Sequence, residues 1–367
     1  MLFKDPNKDK PMVETFNTHN QVETLLTNGL MNMWYPVLPS WSVHSEPIGI
    51  TRLSRNIALW RDNNGKVNAV EDRCPHRGAR LSLGWNLGDR LACWYHGVEV
   101  NGRGVVENVP AAEKASIEGK RCVPSYPVKE IEGAIFLYFG DEIHQNPSDL
   151  ELPNELVGQD FSNFLCTAIW QCNYRYAVDN VMDPMHGAYL HAKSHSMAFG
   201  DKKANMRIEN TEFGLIFEKE GQRDKNFDWV EIGNTGAMWM RLSIPYRKNA
   251  GPGGVFYIVG FATPVDEDHT QVFFWRTRKV EGWQRDVWRF MYRNRLEKLH
   301  WEVLEQDRLL LEAMEPDAHN YEHLYQHDMG LARVRLEMRK KAESQVAELQ
   351  ALETERSEKR AQILTGA

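Results

Sequence analysis

Four residues in two short segments constrain this chain more than anything else in it. Cys74-Pro75-His76 is followed by sixteen residues and then by Cys93-Trp94-Tyr95-His96. Each segment offers one thiol and one imidazole. Structural zinc sites usually group cysteines with cysteines and histidines with histidines. The mixed pairing instead matches a cluster of two irons and two sulfides, with two thiolates on one iron and two imidazoles on the other. Exchanging anionic thiolates for neutral imidazoles raises the reduction potential well above that of an all-cysteine cluster, which suits an electron relay. Gly78 and Gly97 follow the two pairs. Glycine lets the backbone turn tightly and aim N–H groups at cluster sulfurs.

Length and composition bound the rest. At 367 residues the chain exceeds one average domain and points to about two. A net charge of −7 without a basic stripe argues against a nucleic-acid partner. No run of about 18 apolar residues occurs, so no membrane span is expected. Residues 1–14 are polar and charged, without the apolar core of a secretory signal. Five cysteines include the two at 74 and 93, leaving Cys122, Cys166 and Cys172. An odd remainder in a chain with no export signal predicts reduced thiols and a cytoplasmic location.

The first third is strand-rich. Residues 49–60 and 66–70 lead into the first cysteine–histidine loop, and 91–100 enter and leave the second. Residues 134–139 form a short apolar run that fits a buried strand. The pattern predicts a small antiparallel β domain over 34–140 that holds both loops at one tip. The polar, proline-containing stretch 141–158 reads as a connection. A second domain is expected over 159–330, with strands near 215–219, 236–244, 255–263 and 270–279 and a turn at 266–268. A helix is expected over 284–314, with Val287, Phe290, Met291, Leu296, Leu299 and Val303 as its apolar face and Pro316 ending it. Residues 331–367 read as a charged C-terminal helix.

The second domain carries Asn180-x-x-Asp183-x-x-His186 and then His191. Mononuclear ferrous iron that activates dioxygen is held by two histidines and one carboxylate, with positions left open. Five residues on a regular helix rotate by about 140°, so His186 and His191 converge only where the helix is distorted or ends. Gly187 and residues 188–190 leave room for such a break.

Both motifs, in this order, resemble those of the large (α) subunit of Rieske non-heme iron oxygenases over about residues 30–330. Val98 departs from the aromatic residue that the family often has after the second glycine. The resemblance implies an α+β fold: a small antiparallel β Rieske domain, then a larger catalytic domain whose antiparallel sheet is flanked by helices in a helix-grip-like arrangement. It implies a [2Fe-2S] cluster on Cys74, His76, Cys93 and His96, and mononuclear Fe(II) on His186 and His191. By the same resemblance, the Asp183 carboxylate links His186 of one subunit to His96 of the next across a head-to-tail homotrimer, and Asn180 supports the site. Among Glu302, Glu305, Asp307 and Glu312, the segment Gln306-Asp307-Arg308 with Glu312 beyond it points to Asp307 as the third ligand, with Glu305 as the alternative.

The chain has no Gly-x-Gly-x-x-Gly after a strand, so NAD(P)H is expected to act only through a separate reductase, with or without a ferredoxin. The implied reaction is O₂-dependent dihydroxylation, monohydroxylation or O- or N-demethylation of a small aromatic substrate, expected to carry a carboxylate as in the phthalate and phenoxybenzoate branch. Phe199, Phe213, Phe217, Trp239, Phe256 and Tyr257 are read mainly as core. Lys193, Lys202, Lys203, Arg207 and Arg241 are read mainly as surface charges that could reach an acid. Two rival readings remain: a pure electron carrier, and a zinc-containing binding module.

Overall fold

The computed structural model describes residues 18–194, 201–246 and 254–365. After helix α1 (Thr18–Asn28), ten short strands make three small antiparallel sheets. β1 (Met33–Pro39) pairs with β10 (Ala134–Phe139), which pairs with β9 (Val128–Ile131). β2 (Ile48–Arg52), β3 (Arg55–Arg61) and β4 (Val67–Glu71) form a meander. Residues 49–60 are therefore a hairpin. Its turn is Leu53-Ser54, both in the left-handed region with φ of 50° and 57°. β5 (Trp85–Asn86), β6 (Arg90–Ala92), β7 (Glu99–Asn101) and β8 (Val106–Asn108) complete this first unit.

The second unit is a seven-stranded antiparallel sheet. Its chain order is β11 (Phe161–Trp170), β12 (Met206–Asn210), β13 (Gly214–Lys219), β14 (Trp229–Gly233), β15 (Trp239–Pro245), β16 (Val255–Pro264) and β17 (Thr270–Lys279). The spatial order is 11-17-16-15-14-13-12, a meander with the first strand closing on the last. Short helix α2 (Asn154–Val157) lies in the connection, and α3 (Tyr174–Val181) follows β11. Beyond β17 come α4 (Gly282–Met291), a π-helical turn over Tyr292–Leu296, and α5 (Glu297–Glu312). α6 (Met329–Thr365) is the long C-terminal helix. The α+β architecture is the one expected.

The expected helix over 284–314 is thus two helices joined by a π turn, and it stops at Glu312, before Pro316. Its apolar face also differs from the expected one. Val287, Phe290, Met291 and Leu299 are exposed. The buried positions are Trp288 and Tyr292, then Leu304, Asp307 and Leu311. The extra residue of the π turn rotates everything after it, so one helical period does not describe both halves.

The two units share a core. Trp34 and Phe136 from the first meet Phe261 and Trp275 from the second, with Phe136 ring centroids 5.6 and 6.2 Å from theirs. The indole N–H of Trp275 donates to the Glu132 carbonyl at 2.8 Å, and the Thr263 hydroxyl to Pro36 O at 2.7 Å. α6 closes the opposite side. Val334, Met338, Ala342 and Val346 form its buried row. The Gln345 side chain accepts from Met31 N at 3.0 Å and donates to Met31 O at 2.7 Å, as a missing strand would. Arg339 pairs with Glu23 on α1 at 2.6 Å.

Phe136→Ala should cost about 3–5 kcal/mol of unfolding free energy in urea, because the seam cannot collapse around the lost ring.

Candidate metal centres

The first centre sits at the tip of the small unit. Two loops have matching construction. Gly78 N donates to Cys74 O at 2.9 Å and Cys74 N to Ala79 O at 2.8 Å. Gly97 N donates to Cys93 O at 2.8 Å and Cys93 N to Val98 O at 2.9 Å. Both glycines have φ in the left-handed region, 76° and 72°, which explains the residue type at each. Their N–H groups close the turns; it is the N–H groups of His76 and Arg77 that face the Cys74 sulfur. Val98 is buried in the core beneath the loops, so its departure from an aromatic residue leaves no gap there.

Cys74 and Cys93 are buried, and their sulfurs lie close enough to interact. Burial, with the neighbouring Cys93 thiol, pushes the Cys74 thiol up to about 11. His76 and His96 face each other edge-on with centroids 4.7 Å apart. His96 Nδ1 is buried and, among the described residues, without a hydrogen-bond partner. A buried imidazole nitrogen left unmatched, beside its twin and two thiols, fits a metal cluster. Trp94 (66% exposed), Tyr95, Trp85 and Leu83 ring the tip as exposed apolar groups.

The second centre lies between the large sheet and its helices. α3 is pinned at its start by Asn173, whose side chain accepts from Arg175 N and donates to Thr27 O and Glu267 O. The helix ends at Val181, and a 3₁₀ turn over His186–Ala188 carries the chain on to His191. The break required by the five-residue spacing is present. It begins before His186 and extends past it. The two rings meet at 74° with centroids 5.1 Å apart.

Asp307 arrives from α5. Its Oδ1 lies 3.2 Å from His191 Nε2 and 3.6 Å from His186 Nε2. One ligand atom from each of the three residues falls within 4.8 Å of the others. The outer ring nitrogens are held elsewhere. His191 Nδ1 meets Gln306 Oε1 at 2.8 Å, and His186 Nδ1 meets the Asp183 carbonyl at 2.5 Å. Asn180 Nδ2 donates to Asp307 Oδ1 at 3.1 Å. Burial lowers the pKa of His186 against the pull of Asp307 and Asp183. Burial also opposes charge on His191, but its bonds to Asp307 and Gln306 outweigh that and raise its pKa. Two imidazoles and one carboxylate, oriented from behind with their lone pairs converging, fit a ferrous ion with open positions.

The other acids are placed elsewhere. Glu305 pairs with Arg308 at 2.6 Å and points away from the histidines, so it is not the third corner. Glu312 pairs with Arg308 and accepts from Gln171 N, and Glu302 is exposed. The expectation for Asp183 needs correcting within the chain. His186 is held by its main-chain carbonyl, because the carbonyl of residue 183 lies one turn before the ring; the carboxylate Oδ1 accepts from Met185 N at 2.7 Å. Gln306 was present in the motif but given no role; its neighbour Asp307 was the only signal. Arg207 and Arg241 are already paired with acids, Lys193, Lys202 and Lys203 are exposed, and Phe199 lies outside the described residues.

Two turns before Asp307, His300 faces the same way. Its ring stacks on Phe256 at 4.8 Å and 16°, while Nδ1 is buried without a partner. Burial, with the nearby charge of Arg276, pushes its pKa down to about 3.

Residues 33–127 match the model of the Rieske [2Fe-2S] domain, and residues 170–344 match that of the vanillate O-demethylase oxygenase C-terminal domain. The chain pairs a Rieske domain with a vanillate O-demethylase-type oxygenase domain. The vanillate O-demethylase oxygenase subunit of Pseudomonas sp. (strain HR199 / DSM 7063) is 33% identical over 169 residues, 44% of this chain and 45% of the relative. The oxygenase component of dicamba O-demethylase from Stenotrophomonas maltophilia is 34% identical over 194 residues, 52% of this chain and 56% of the relative. The matched stretch spans about half the length of these curated relatives, or less. In fold, the terminal oxygenase of carbazole 1,9a-dioxygenase from Nocardioides aromaticivorans IC177 superposes with a TM-score of 0.70 at 21% identity, over 89% of this chain and 97% of that one. Among the described residues no helix is long and apolar enough to cross a membrane.

Asp307→Asn should abolish Fe(II) retention at the oxygenase-domain triad, while Glu305→Gln should leave it intact, as read by iron assay after desalting. His300 gives a pH expectation. The unfolded imidazole takes up a proton below about 6.5 and the folded one does not until about 3. The unfolded state therefore binds more protons in that window, and stability falls as pH drops through it. A His300→Gln variant should show a shallower loss of thermal midpoint between those pH values than the parent chain.

Proposed function

We propose that this chain is the terminal oxygenase component of a multi-component Rieske system, acting on a small anionic aromatic compound. The observation that carries the reading is the presence of two separate ligand sets in one chain: the mixed cysteine–histidine tip and the triad of half-buried His186 with buried His191 and Asp307. A pure electron carrier needs no such triad. A zinc module needs no second centre. When bound, the cluster supplies single electrons at a raised potential, and the ferrous ion supplies an open position for dioxygen beside the substrate.

The residues of the chain do the rest. Gln306 accepts from His191 Nδ1, which leaves the Nε2 lone pair facing the metal position. The Asp183 carbonyl does the same for His186. Asn180 holds the Asp307 carboxylate in register. Electrons come from NAD(P)H through a separate reductase, with a ferredoxin between them as in the carbazole 1,9a-dioxygenase oxygenase–ferredoxin complex. Hydroxylation of a methoxy carbon by one oxygen atom of O₂ gives a hemiacetal, whose carbon–oxygen bond then breaks to leave a phenol and formaldehyde; two electrons from the reductase and two protons take the second oxygen atom to water.

Demethylation is favoured over ring dihydroxylation because the oxygenase domain matches the vanillate O-demethylase model. Ring or side-chain monohydroxylation is the second reading, favoured by the 32% identity to the iron-sulfur subunit of the toluene-4-sulfonate monooxygenase system of Comamonas testosteroni. Vanillate and toluene-4-sulfonate are both aromatic anions. This supports an acidic substrate without choosing the phthalate or phenoxybenzoate branch.

Assembly follows from where the exposed apolar groups lie. The Rieske tip presents Trp94, Tyr95 and Trp85. The surface near Asp183 presents Tyr189 and Tyr325. Among the described residues, Asp183 Oδ2 makes no hydrogen bond and is free to accept from His96 of a neighbouring copy. A head-to-tail homotrimer closes such contacts into a ring. Three thiols outside the Rieske loops, Cys122, Cys166 and Cys172, form no disulfide and fit a reducing compartment such as the cytoplasm.

The purified protein should be red-brown, give a rhombic paramagnetic signal when reduced, and hold about three irons per chain. With a reductase, NADH and a panel of methoxylated aromatic acids it should release formaldehyde in step with O₂ uptake. About two irons per chain and no O₂ uptake would mark a carrier; a colourless zinc protein would end the reading altogether. Asp183→Asn should leave the iron count unchanged and lower turnover by about 10–100-fold.

A further inference from the structure

β17 turns Val272, Phe274 and Arg276 to the sheet face that packs against α3 and α5, and Arg276 lies opposite Phe164 of β11. Arg276 is 2% exposed. Among the described residues no carboxylate comes within ion-pair distance of it, and its Nε has no acceptor. Its guanidinium makes one hydrogen bond there, from Nη1 to Phe274 O at a marginal 3.4 Å. Arg52 shows what this fold does with a buried arginine whose role is structural: its donors reach Val37 O, Thr51 O and the Gln271 side chain. The Arg276 guanidinium carbon also lies 5.6 Å from the Phe274 ring centroid, but a ring face accepts no N–H in the fork geometry, and a buried cation short of acceptors is costly.

The surroundings of Arg276 form a polar patch with aromatic walls. The Tyr292 hydroxyl lies 3.6 Å from Cys166 Sγ, and the Tyr292 ring stacks on Phe164 at 4.0 Å. His300 stands 5.5 Å from the Tyr292 ring, stacks on Phe256, and leaves its buried Nδ1 unmatched. Burial, helped by the nearby charge of Arg276, disfavours a proton on His300, so the imidazole stays neutral and keeps one N–H to donate. Other atoms of His300 remain partly exposed, so the patch is open on that side. Along α5, His300 precedes Asp307 by seven residues on one face, or about 10.5 Å. That is the length of a substituted aromatic ring.

We propose that Arg276, with His300 beside it, is the anchor for the acidic head of the aromatic substrate, a carboxylate or sulfonate, and that it points the rest of the molecule along α5 toward Asp307. The fork of Nε and one terminal nitrogen takes two oxygens of the anion, and His300 adds a neutral donor. This rests on the reading of the triad as the oxygenation centre. It assigns recognition to a residue read at first only as part of a strand.

The test is equilibrium binding by calorimetry, without O₂ or reductant, on the iron-loaded chain. The probes are benzoate, benzenesulfonate and 4-methoxybenzoate, each set against a neutral counterpart: benzamide, benzenesulfonamide and methyl 4-methoxybenzoate. The parent should prefer at least one anion by about 10–100-fold. Arg276→Gln and Arg276→Met should bring that preference close to parity, and Arg276→Lys should restore part of it, since lysine keeps the charge but not the fork. Removing an uncompensated charge should leave the thermal midpoint of the Gln and Met variants near that of the parent. His300→Gln should weaken anion binding less than Arg276→Gln does. The anchor is overturned if no anion outbinds its neutral partner on the parent, or if Arg276→Gln keeps the preference. A chain that shows the preference but never consumes O₂ sinks the oxygenase reading and leaves the anchor standing; turnover of neutral ethers with no anion preference does the reverse.

Discussion

Three donors with full lone pairs must face one another across an oxygenase-domain centre that water scarcely reaches. His186, His191 and Asp307 bring their ligand atoms within 4.8 Å. Left to themselves, two imidazoles and a carboxylate in this position would rotate to satisfy one another or solvent. They are held in place by hydrogen bonds to the outer nitrogen of each imidazole and to the carboxylate oxygen that faces them. Gln306 holds His191, the main-chain carbonyl of Asp183 holds His186, and Asn180 holds Asp307. Each restraint comes from a different element, so the centre exists only when α3, the turn after it and α5 are all docked on the sheet. Asn173 and the Trp288–Tyr292–Phe164 stack do that docking. The centre is a product of tertiary packing.

The two centres differ in exposure, and the difference matches the roles proposed for them. The Rieske tip is ringed by large apolar side chains in water, which few monomeric proteins tolerate without a partner. The triad is enclosed, with His191 and Asp307 buried. An electron relay must come close to another molecule, whereas oxygen chemistry is best kept from bulk water. The shared core of Trp34, Phe136, Phe261 and Trp275 fixes the relay to the oxygenase domain as one body. Any adjustment during turnover must therefore come from neighbouring molecules or from loops, since the seam itself is packed.

Much of this could be read from the chain, and the failures have physical causes. The Rieske loops were legible because each is local: a cysteine, a histidine and a left-handed glycine within five residues settle the turn. β17 and β16 matched their apolar runs for the same reason. The ligand pair His186 and His191 was legible once the helical spacing was seen to forbid a regular helix. Asp307 could be reached only through a motif, since five acids share α5 and the sequence does not show which faces inward. The π turn over Tyr292–Leu296 hid the true buried face, because a one-residue insertion into the helical ladder leaves no compositional trace. Arg276 was invisible for a different reason. A basic residue in an alternating strand looks solvent-facing, and only the assembled sheet shows that its side has no solvent.

The clasp between Met31 and Gln345 ties two distant parts of the sequence together. The two residues are 314 positions apart, and the amide of one replaces a strand partner for the other. The backbone groups of Met31 have no mate until residue 345 is in place. The entropy cost of closing so long a loop grows only slowly with its length, yet contacts this distant in sequence form late. The docking of α6 against the segment before β1 therefore belongs among the slow steps of folding.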